Sequence, residues 1–344
     1  MPNRVFGALC VHVASTFRTS TSSVQVPDAY DVFSLKLAIG LKLTQAVRAI
    51  SPAAAYLGPR FSSQVVPRLK LDPNVVTVAK ELASVVHAHP DPEIAKYCGA
   101  IVREAHENNS ERRGEKVIVC AALVESGHAG EGGHLPAVIR IFKLDTEEKR
   151  RHWLDRCCPS LLRISSNYMH CRFVQLFFRA FLPSIIHNGV AFEFHPQNCL
   201  ARFDLKTKEL RGFIIRDFGG IRVHPETLYA STGVELDCLP GHSIAVPNLD
   251  DVYTRAYHAA VHNLLQQLIR VLDLHYNGQG WEIVRQHLMQ AIPKEHGLYD
   301  AWLSPERKMV PSKCFLRMRM AKMYRFVSKQ FFFPVPCLTL HARL

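Results

Sequence analysis

Glu193, His195, Gln197 and Asn198 lie within one short run, and Asp217 follows nineteen residues after Asn198, inside Arg216-Asp217-Phe218-Gly219-Gly220. The run Val190-Ala191-Phe192-Glu193-Phe194-His195 has the alternation of a short strand, which sets Glu193 and His195 on one face. Gln197 and Asn198 then fall just past the strand end, and Asp217 falls where a returning strand, Gly212 to Asp217, stops. Two carboxylates, an imidazole and two carboxamides would meet at one edge. Carboxylate and amide oxygens are hard ligands that suit Mg²⁺, which keeps several waters and shares oxygen atoms of substrate phosphates. Gly219-Gly220 permits close backbone approach. The plainer reading is a hairpin whose polar ends satisfy one another or face water.

A second group is Lys36, Thr44 and Arg48. Lys36 stands on the polar face of an otherwise apolar strand, with Arg48 twelve residues on. A lysine point charge and an arginine fork make a natural pair for phosphate and carboxylate groups, although isolated basic residues on amphipathic elements are usually only solvated. Other signals carry less. His258 and His262 have the i, i+4 spacing of zinc ligands but lack the accompanying Glu and a third partner. His87, His89, His128 and His134 read as surface residues. Neither a P-loop nor a GxGxxG is present, so a nucleotide would need another architecture.

The elements that must position these groups are read from periodicity. Phe33, Leu35, Leu37 and Ile39 alternate with Ser34 and Lys36 as a strand, and Thr44 to Ile50 can turn helical. Ser51-Pro52 and Gly58-Pro59 punctuate a loop. Asp72-Pro73 and Asp91-Pro92-Glu93 read as helix starts, leading into VVTVAKELASVV and IAKYCGAIVREAHEN. KVIVCAALV reads as a buried strand, Leu144 to Trp153 as a helix, and Met169 to Ile186 as a long apolar helix. Leu200 to Phe203 and Gly212 to Asp217 form a hairpin-like pair, and Val252 to His275 is a strong helix.

The chain has 344 residues, 48% hydrophobic and 21% charged, which excludes a disordered or collagen-like polypeptide over most of its length. The net charge of +12 favours an anionic partner, but Glu306 to Lys329 alone holds eight basic residues and one acidic. That stretch reads as an amphipathic helix with Leu316, Met320 and Met323 on its apolar side. The ten cysteines include no CxxC, which fits free thiols in a reducing compartment. No apolar run is long enough for a membrane span. A soluble, cytoplasmic protein is expected.

The run GVAFEFHPQNCLARFD…GFIIRDFGG resembles the signature of the aerobactin-type siderophore synthetases, which work without a peptide-synthetase template. SLKLAIGLKLTQAVRAISP…GPRFS resembles a second block of that family in the same order, and AKELAS, IVREA and AALVES look most like its fungal branch. The resemblance covers roughly residues 32 to 325. It implies an α/β (α+β) architecture: a mixed or antiparallel sheet palm with a helical C-terminal thumb. On that plan 1–30 is an irregular lead, 31–235 the palm-like core, 236–330 the thumb and 331–344 an irregular tail. The family's N-terminal fingers domain is expected to be missing. Its Ser-x-Arg-Thr element falls on Ser20-Thr21-Ser22-Ser23, with Ser22 at the arginine position, unless Arg18 loops in to replace it.

The resemblance further implies ATP and Mg²⁺ as cofactors. A carboxylate of citrate or a related acid would be adenylated, and an amine or hydroxylamine would then attack to form an amide. Carried over residue by residue, Lys36 would contact ATP phosphate, Thr44 and Arg48 the carboxylate substrate, and His195 the substrate carboxylate with Gln197 beside it. Asn198 and Asp217 would hold nucleotide and metal, with Glu193 as a further metal ligand; Arg48 and His195 would be catalytic. The implied partners are these small molecules, with a homodimer as a candidate assembly, and neither nucleic acid nor membrane. A catalytically inactive remnant that keeps anion binding and a basic nucleic-acid-binding protein stand as alternatives.

Overall fold

The computed structural model describes residues 23–25, 33–38, 42–43, 46–47, 49–106, 114–124, 165–207, 209–272, 274–276, 278–304, 306, 309–312 and 331–334. In chain order the first strands are β1 (Ser23–Gln25), β2 (Phe33–Leu37), β3 (Lys42–Leu43), β4 (Ala46–Val47), β5 (Val76–Val78), β6 (Glu81–Val85), β7 (Ala100–Glu104) and β8 (Glu115–Val119). Helices α1 (Pro52–Arg60), α2 (Pro92–Ala95) and α3 (Cys120–Val124) punctuate them. The long helix α4 (Ser165–Asn188) leads to β9 (Val190–Ala191), β10 (Cys199–Asp204), β11 (Leu210–Ile215) and β12 (Arg222–Val223). The C-terminal part is helical: α5 (Pro225–Thr232), α6 (Leu249–Tyr257), α7 (Gln266–Val271), α8 (Gln279–Ala291) and α9 (Gly297–Leu303). A small pair, β13 (Met309–Ser312) and β14 (Phe331–Pro334), follows. The expected class, mixed α/β with antiparallel and mixed sheets and a helix-rich C-terminal part, is what is found.

Two four-stranded sheets frame the first two-thirds of the chain. One is antiparallel throughout, in the order β1-β2-β7-β6. The other, β5-β11-β10-β8, is antiparallel except for the parallel pair β5–β11. The second sheet is covered on both faces, which is why β10 and β11 read as near-continuous apolar runs. Its inner face meets α4. Phe173, Phe177 and Phe181 repeat every fourth residue along that helix, and Phe173 and Phe177 sit edge-on to Phe213 with centroids 5.0 and 5.7 Å away. Phe181 packs on Phe194 with the rings tilted by 48° and their centroids 4.7 Å apart, anchoring the segment that carries Glu193 and His195.

Several local expectations fail, most of them because strand pairing overrides the local signal. The segment after Asp72-Pro73 forms β5 and β6, not a helix, because Val75 to Val78 is β-branched and pairs with β11. Asp91-Pro92 starts only the one-turn α2, and Ala100–Glu104 then joins the first sheet. Thr44 to Ile50 is not helical where it is described, since Ala46–Val47 pairs with Lys42–Leu43. Ser51-Pro52 begins a helix: Ser51 Oγ accepts the Ala54 N–H at 3.1 Å with Pro52 in the first turn, where its missing N–H costs nothing. KVIVCAALV is half strand and half helix. Helix 169–186, the β10–β11 hairpin and the helical run from 252 are found as expected, the last as α6 and α7 joined by a π-helical segment, His258–Leu265. Leu144 to Trp153 and the basic stretch 313–325 lie outside the described residues.

Gly212 of β11 lies hard against the backbone of Val75, just before β5. Phe213 N donates to Val75 O at 2.7 Å, and a Cβ on residue 212 would overlap that same carbonyl. Gly212→Ala is therefore expected to destabilise the fold by about 2 kcal/mol through overpacking of backbone that cannot yield. Urea denaturation reads the shift, and an unchanged midpoint would show that the two strands have slack at this point.

Candidate active site

Lys36 and Asp217, 181 residues apart in sequence, form an ion pair: Lys36 Nζ donates to Asp217 Oδ1 at 2.7 Å. Their side chains are 18% and 15% exposed, so the pair is largely withdrawn from water yet open on one side. Asp217 has φ 73°, among the described residues the sole non-glycine at positive φ. Asp tolerates this region because its short side chain can bond locally, and here Gly219 N donates to Oδ1 at 3.0 Å. Burial pushes the Asp217 carboxyl up, but Lys36 and the Gly219 N–H outweigh it and hold it down at about 2. Burial likewise opposes the charge on Lys36, and Asp217 with Glu81 overcomes it, so its pKa is raised.

The polar face of the first sheet supplies the rest of this pocket. Ser34 lies opposite Arg103, and Arg103 opposite Glu81, so three strands carry one row of polar side chains. Arg103 is 1% exposed and Glu81 2%, and Arg103 Nε donates to Ser34 Oγ at 3.2 Å. In β2 the polar residue Ser34 is therefore the buried one, while Phe33, Leu35 and Leu37 are half-buried: the face that looked solvated points inward. Glu81 is fixed from its backbone by Ser62 Oγ, which accepts its N–H at 2.8 Å, and Gly58 leaves room for its carboxylate, which a Cβ there would strike. Burial drives its carboxyl up to about 7, against Lys36 and with Asp217 adding to the rise. Its Oε1 is buried without a hydrogen-bond partner among the described residues.

Glu193 sits on the other side of the Asp217–Gly220 turn. Phe192 and Phe194 are buried while Glu193 and His195 are half-buried, so the expected alternation holds even though the paired strand β9 stops at Ala191. Glu193 Oε1 accepts from Arg255 Nη2 at 2.9 Å and Oε2 from Asn198 Nδ2 at 3.1 Å. Gly220 lies against the carboxylate with no space for a Cβ, which is the close approach that Gly219-Gly220 was expected to allow. Beneath the turn, Phe218 lies 5.1 Å from Phe61 and 6.4 Å from Phe192, so apolar packing ties the Glu193 and Asp217 segments together. His195 O accepts the Asn198 N–H at 2.8 Å, and Arg216 Nη2 donates to Gln197 O at 3.1 Å, which fixes the turn that presents all three side chains.

The structure thus joins Lys36 to Asp217 and Glu193 to Asn198 directly, and places His195 and Gln197 on the adjoining turn. Thr44 and Arg48 lie outside the described residues. Glu81, Arg103 and Arg255 were not anticipated as site residues. The signal for the first two was present in AKELAS and IVREA, segments that by sequence read as parts of helices. Among the described residues no three of His, Cys, Asp and Glu gather as a ready metal cage, and His258 and His262 merely meet edge to face at 5.8 Å. The donor set that is present, two carboxylates and an amide, fits a hard cation held largely by phosphates and water. No described helix is long and apolar enough to cross a membrane.

Residues 11–125 match the family model described as IucA / IucC family, and residues 171–325 match that described as Ferric iron reductase FhuF-like transporter. The chain is 42% identical over 306 residues to the NRPS-independent siderophore synthetase rfs of Rhizopus delemar, a match covering 89% of this chain and 45% of that protein. It shares its fold with petrobactin biosynthesis protein AsbB of Bacillus anthracis (TM-score 0.68, 14% identity, 92% of this chain and 52% of that one). The ATP-bound aerobactin synthetase IucA of Klebsiella pneumoniae is a further structural neighbour (TM-score 0.58, 14% identity, 82% and 50%). The chain spans about half the length of the curated relatives it matches. With two family-model matches, a relative 42% identical across 89% of this chain, and Lys36 of one sequence block paired with Asp217 of the other, the chain belongs to the NRPS-independent siderophore synthetase family.

Proposed function

We propose that these residues form the nucleotide and carboxylate site of an ATP-dependent ligase. It activates a carboxylate of citrate or a related acid and joins it to an amine or hydroxylamine as an amide. Residues 31–235 would act as the catalytic core and 236–330 as a thumb over it. The observation that carries this reading is the Lys36–Asp217 pair, which brings the two halves of the pocket together across 181 residues.

The chemistry asks for charge control more than for a nucleophilic side chain. A substrate carboxylate oxygen attacks the α-phosphorus of ATP and pyrophosphate leaves; the amine nitrogen then attacks the acyl carbon and AMP leaves. Bringing a carboxylate up to a triphosphate concentrates negative charge, which preorganised cations offset where charge develops. Lys36 is held protonated and aimed by Asp217, and Arg103 adds a buried positive charge behind it. His195, with Thr44 and Arg48, would orient the acid so that its oxygen faces phosphorus. Glu193, Asn198 and Asp217 would hold Mg²⁺, which supplies charge neutralisation on the phosphates.

The test is citrate-dependent pyrophosphate release from ATP, measured with and without hydroxylamine. Release is expected; nucleotide binding with no release for any carboxylate offered would overturn the ligase reading and favour a remnant that only binds anions. His195→Ala is expected to slow release about a hundredfold while leaving the thermal midpoint in place. A wild-type rate in that variant would remove His195 from the site.

A further inference from the structure

Where α4 packs on α8, a thiol and an imidazole meet: Cys171 Sγ and His287 Nε2 lie 3.2 Å apart, although 116 residues separate them in sequence. Both side chains are half-buried. One proton is shared along this contact, either as a thiol facing the Nε2 lone pair or as a thiolate facing an imidazolium N–H. Burial lowers His287 below the usual imidazole range, so the ring is neutral and can take up a proton at neutral pH. Cys120 and Cys199 differ: both are fully buried, and burial pushes their thiols up, which makes them inert. The Cys171 contact opens on a cleft of about 330 Å³ between the same two helices, a volume that suits a small molecule. His287 forms part of its wall, and so does Gln175, one turn of α4 beyond Cys171. Phe178 and Leu182, both buried, give the cleft an apolar base, while Arg179 at its edge is already paired with Asp72 at 2.7 Å.

We propose that Cys171, with His287 as its proton acceptor, is a thiol–disulfide exchange site that takes a small, largely apolar disulfide from the α4–α8 cleft. The sulfur of Cys171 attacks one sulfur of the disulfide as its proton passes to His287 Nε2. The S–S bond of the disulfide breaks, a new one forms to Cys171, and the departing thiolate takes the proton back from His287 and leaves as a thiol. The disulfide is the oxidant, so atoms and electrons balance without any further reagent. The site is separate from the nucleotide pocket and does not depend on the ligase reading. It sits on the helix whose Phe181 packs on Phe194, so a group attached at Cys171 loads the element that anchors the Glu193–His195 segment.

The probe is dipyridyl disulfide, neutral and aromatic, reacted with the full chain at pH 7 and quenched with iodoacetamide. Mass spectrometry of tryptic peptides follows Cys171 on Ile164–Arg172, which holds no other cysteine. Cys98, which is exposed, is the reference for an ordinary accessible thiol. Cys171 is expected to react about fivefold faster than Cys98 or more. Its rate is expected to level off as the reagent fills the cleft, while that of Cys98 stays linear in reagent. His287→Gln keeps a polar side chain of similar size but cannot accept the proton; it is expected to slow Cys171 about fivefold and to leave Cys98 unchanged. A Cys171 rate no faster than that of Cys98, or one that His287→Gln does not slow, would overturn the proposal. Should His287→Gln fail to fold, the wild-type chain decides alone: a fast, saturating reaction at Cys171 supports the site, and strict linearity there sinks it.

Discussion

Lys36→Met is expected to abolish nucleotide-dependent turnover and to weaken ATP binding about a hundredfold. The loss exceeds that of one charge-assisted contact because the substitution also leaves the Asp217 carboxylate facing the phosphates without its counter-charge. The same change should cost stability. Removing one partner of a withdrawn ion pair strands the other, and for a pair this little exposed the expected loss is about 3 kcal/mol at neutral pH. Asp217 is also held at φ 73°, a conformation that the Lys36 contact helps to fix. A double-mutant cycle separates the electrostatic part from lost packing. Asp217→Asn keeps a side chain that tolerates the same backbone and can still accept the Gly219 N–H. If the ion pair matters, Lys36→Met with Asp217→Asn is more stable than Lys36→Met alone. Additive losses in the cycle would mean that the two residues do not depend on each other.

The contrast between what was legible and what was not follows from the range of each signal. Glu193, His195, Asn198 and Asp217 could be grouped in advance because β10 and β11 are neighbours in sequence, so local alternation and one turn nearly suffice to bring them together. Lys36 could be placed on the polar side of its strand, but that this side points inward depends on β7 and β6, which arrive from residues 81 to 104. Those two strands were read as helices from Asp-Pro start signals. Such signals report only the local chain, whereas pairing across the sheet decides the outcome. With both segments read as helices, Glu81 and Arg103 have no partner strand to face, and the row they form with Ser34 disappears from view. The aromatic triangle of Phe61, Phe192 and Phe218 is similarly non-local: no spacing rule connects these three rings, yet they hold the two carboxylate-bearing segments in register.

Glu81 then gives the pocket a pH signature with a definite sign. Its carboxyl is raised to about 7 in the folded chain, chiefly by burial, from an ordinary value of 4.5. Between those two values the folded protein keeps a proton that the unfolded chain has released, so on account of Glu81 stability falls as pH rises through this window. Glu81→Gln removes the ionisation and preserves the shape beside Gly58. Relative to wild type, the variant should be little changed near pH 5 and more stable by about 3 kcal/mol at pH 8, the free-energy equivalent of the shift. His170 works in the other direction. Burial lowers it to about 4, so below the ordinary imidazole range the folded state resists a proton that the unfolded chain accepts, and stability rises with pH between about 4 and 6.5. His170 is present in both proteins, so the difference between the two stability curves isolates Glu81. Urea denaturation at pH 5, 6, 7 and 8 supplies that difference. A gap that widens with pH identifies Glu81 as a carboxyl held neutral beside the Lys36–Asp217 pair. A gap that stays flat would show that the buried carboxylate is already ionised at pH 5, fully compensated by Lys36 and Arg103.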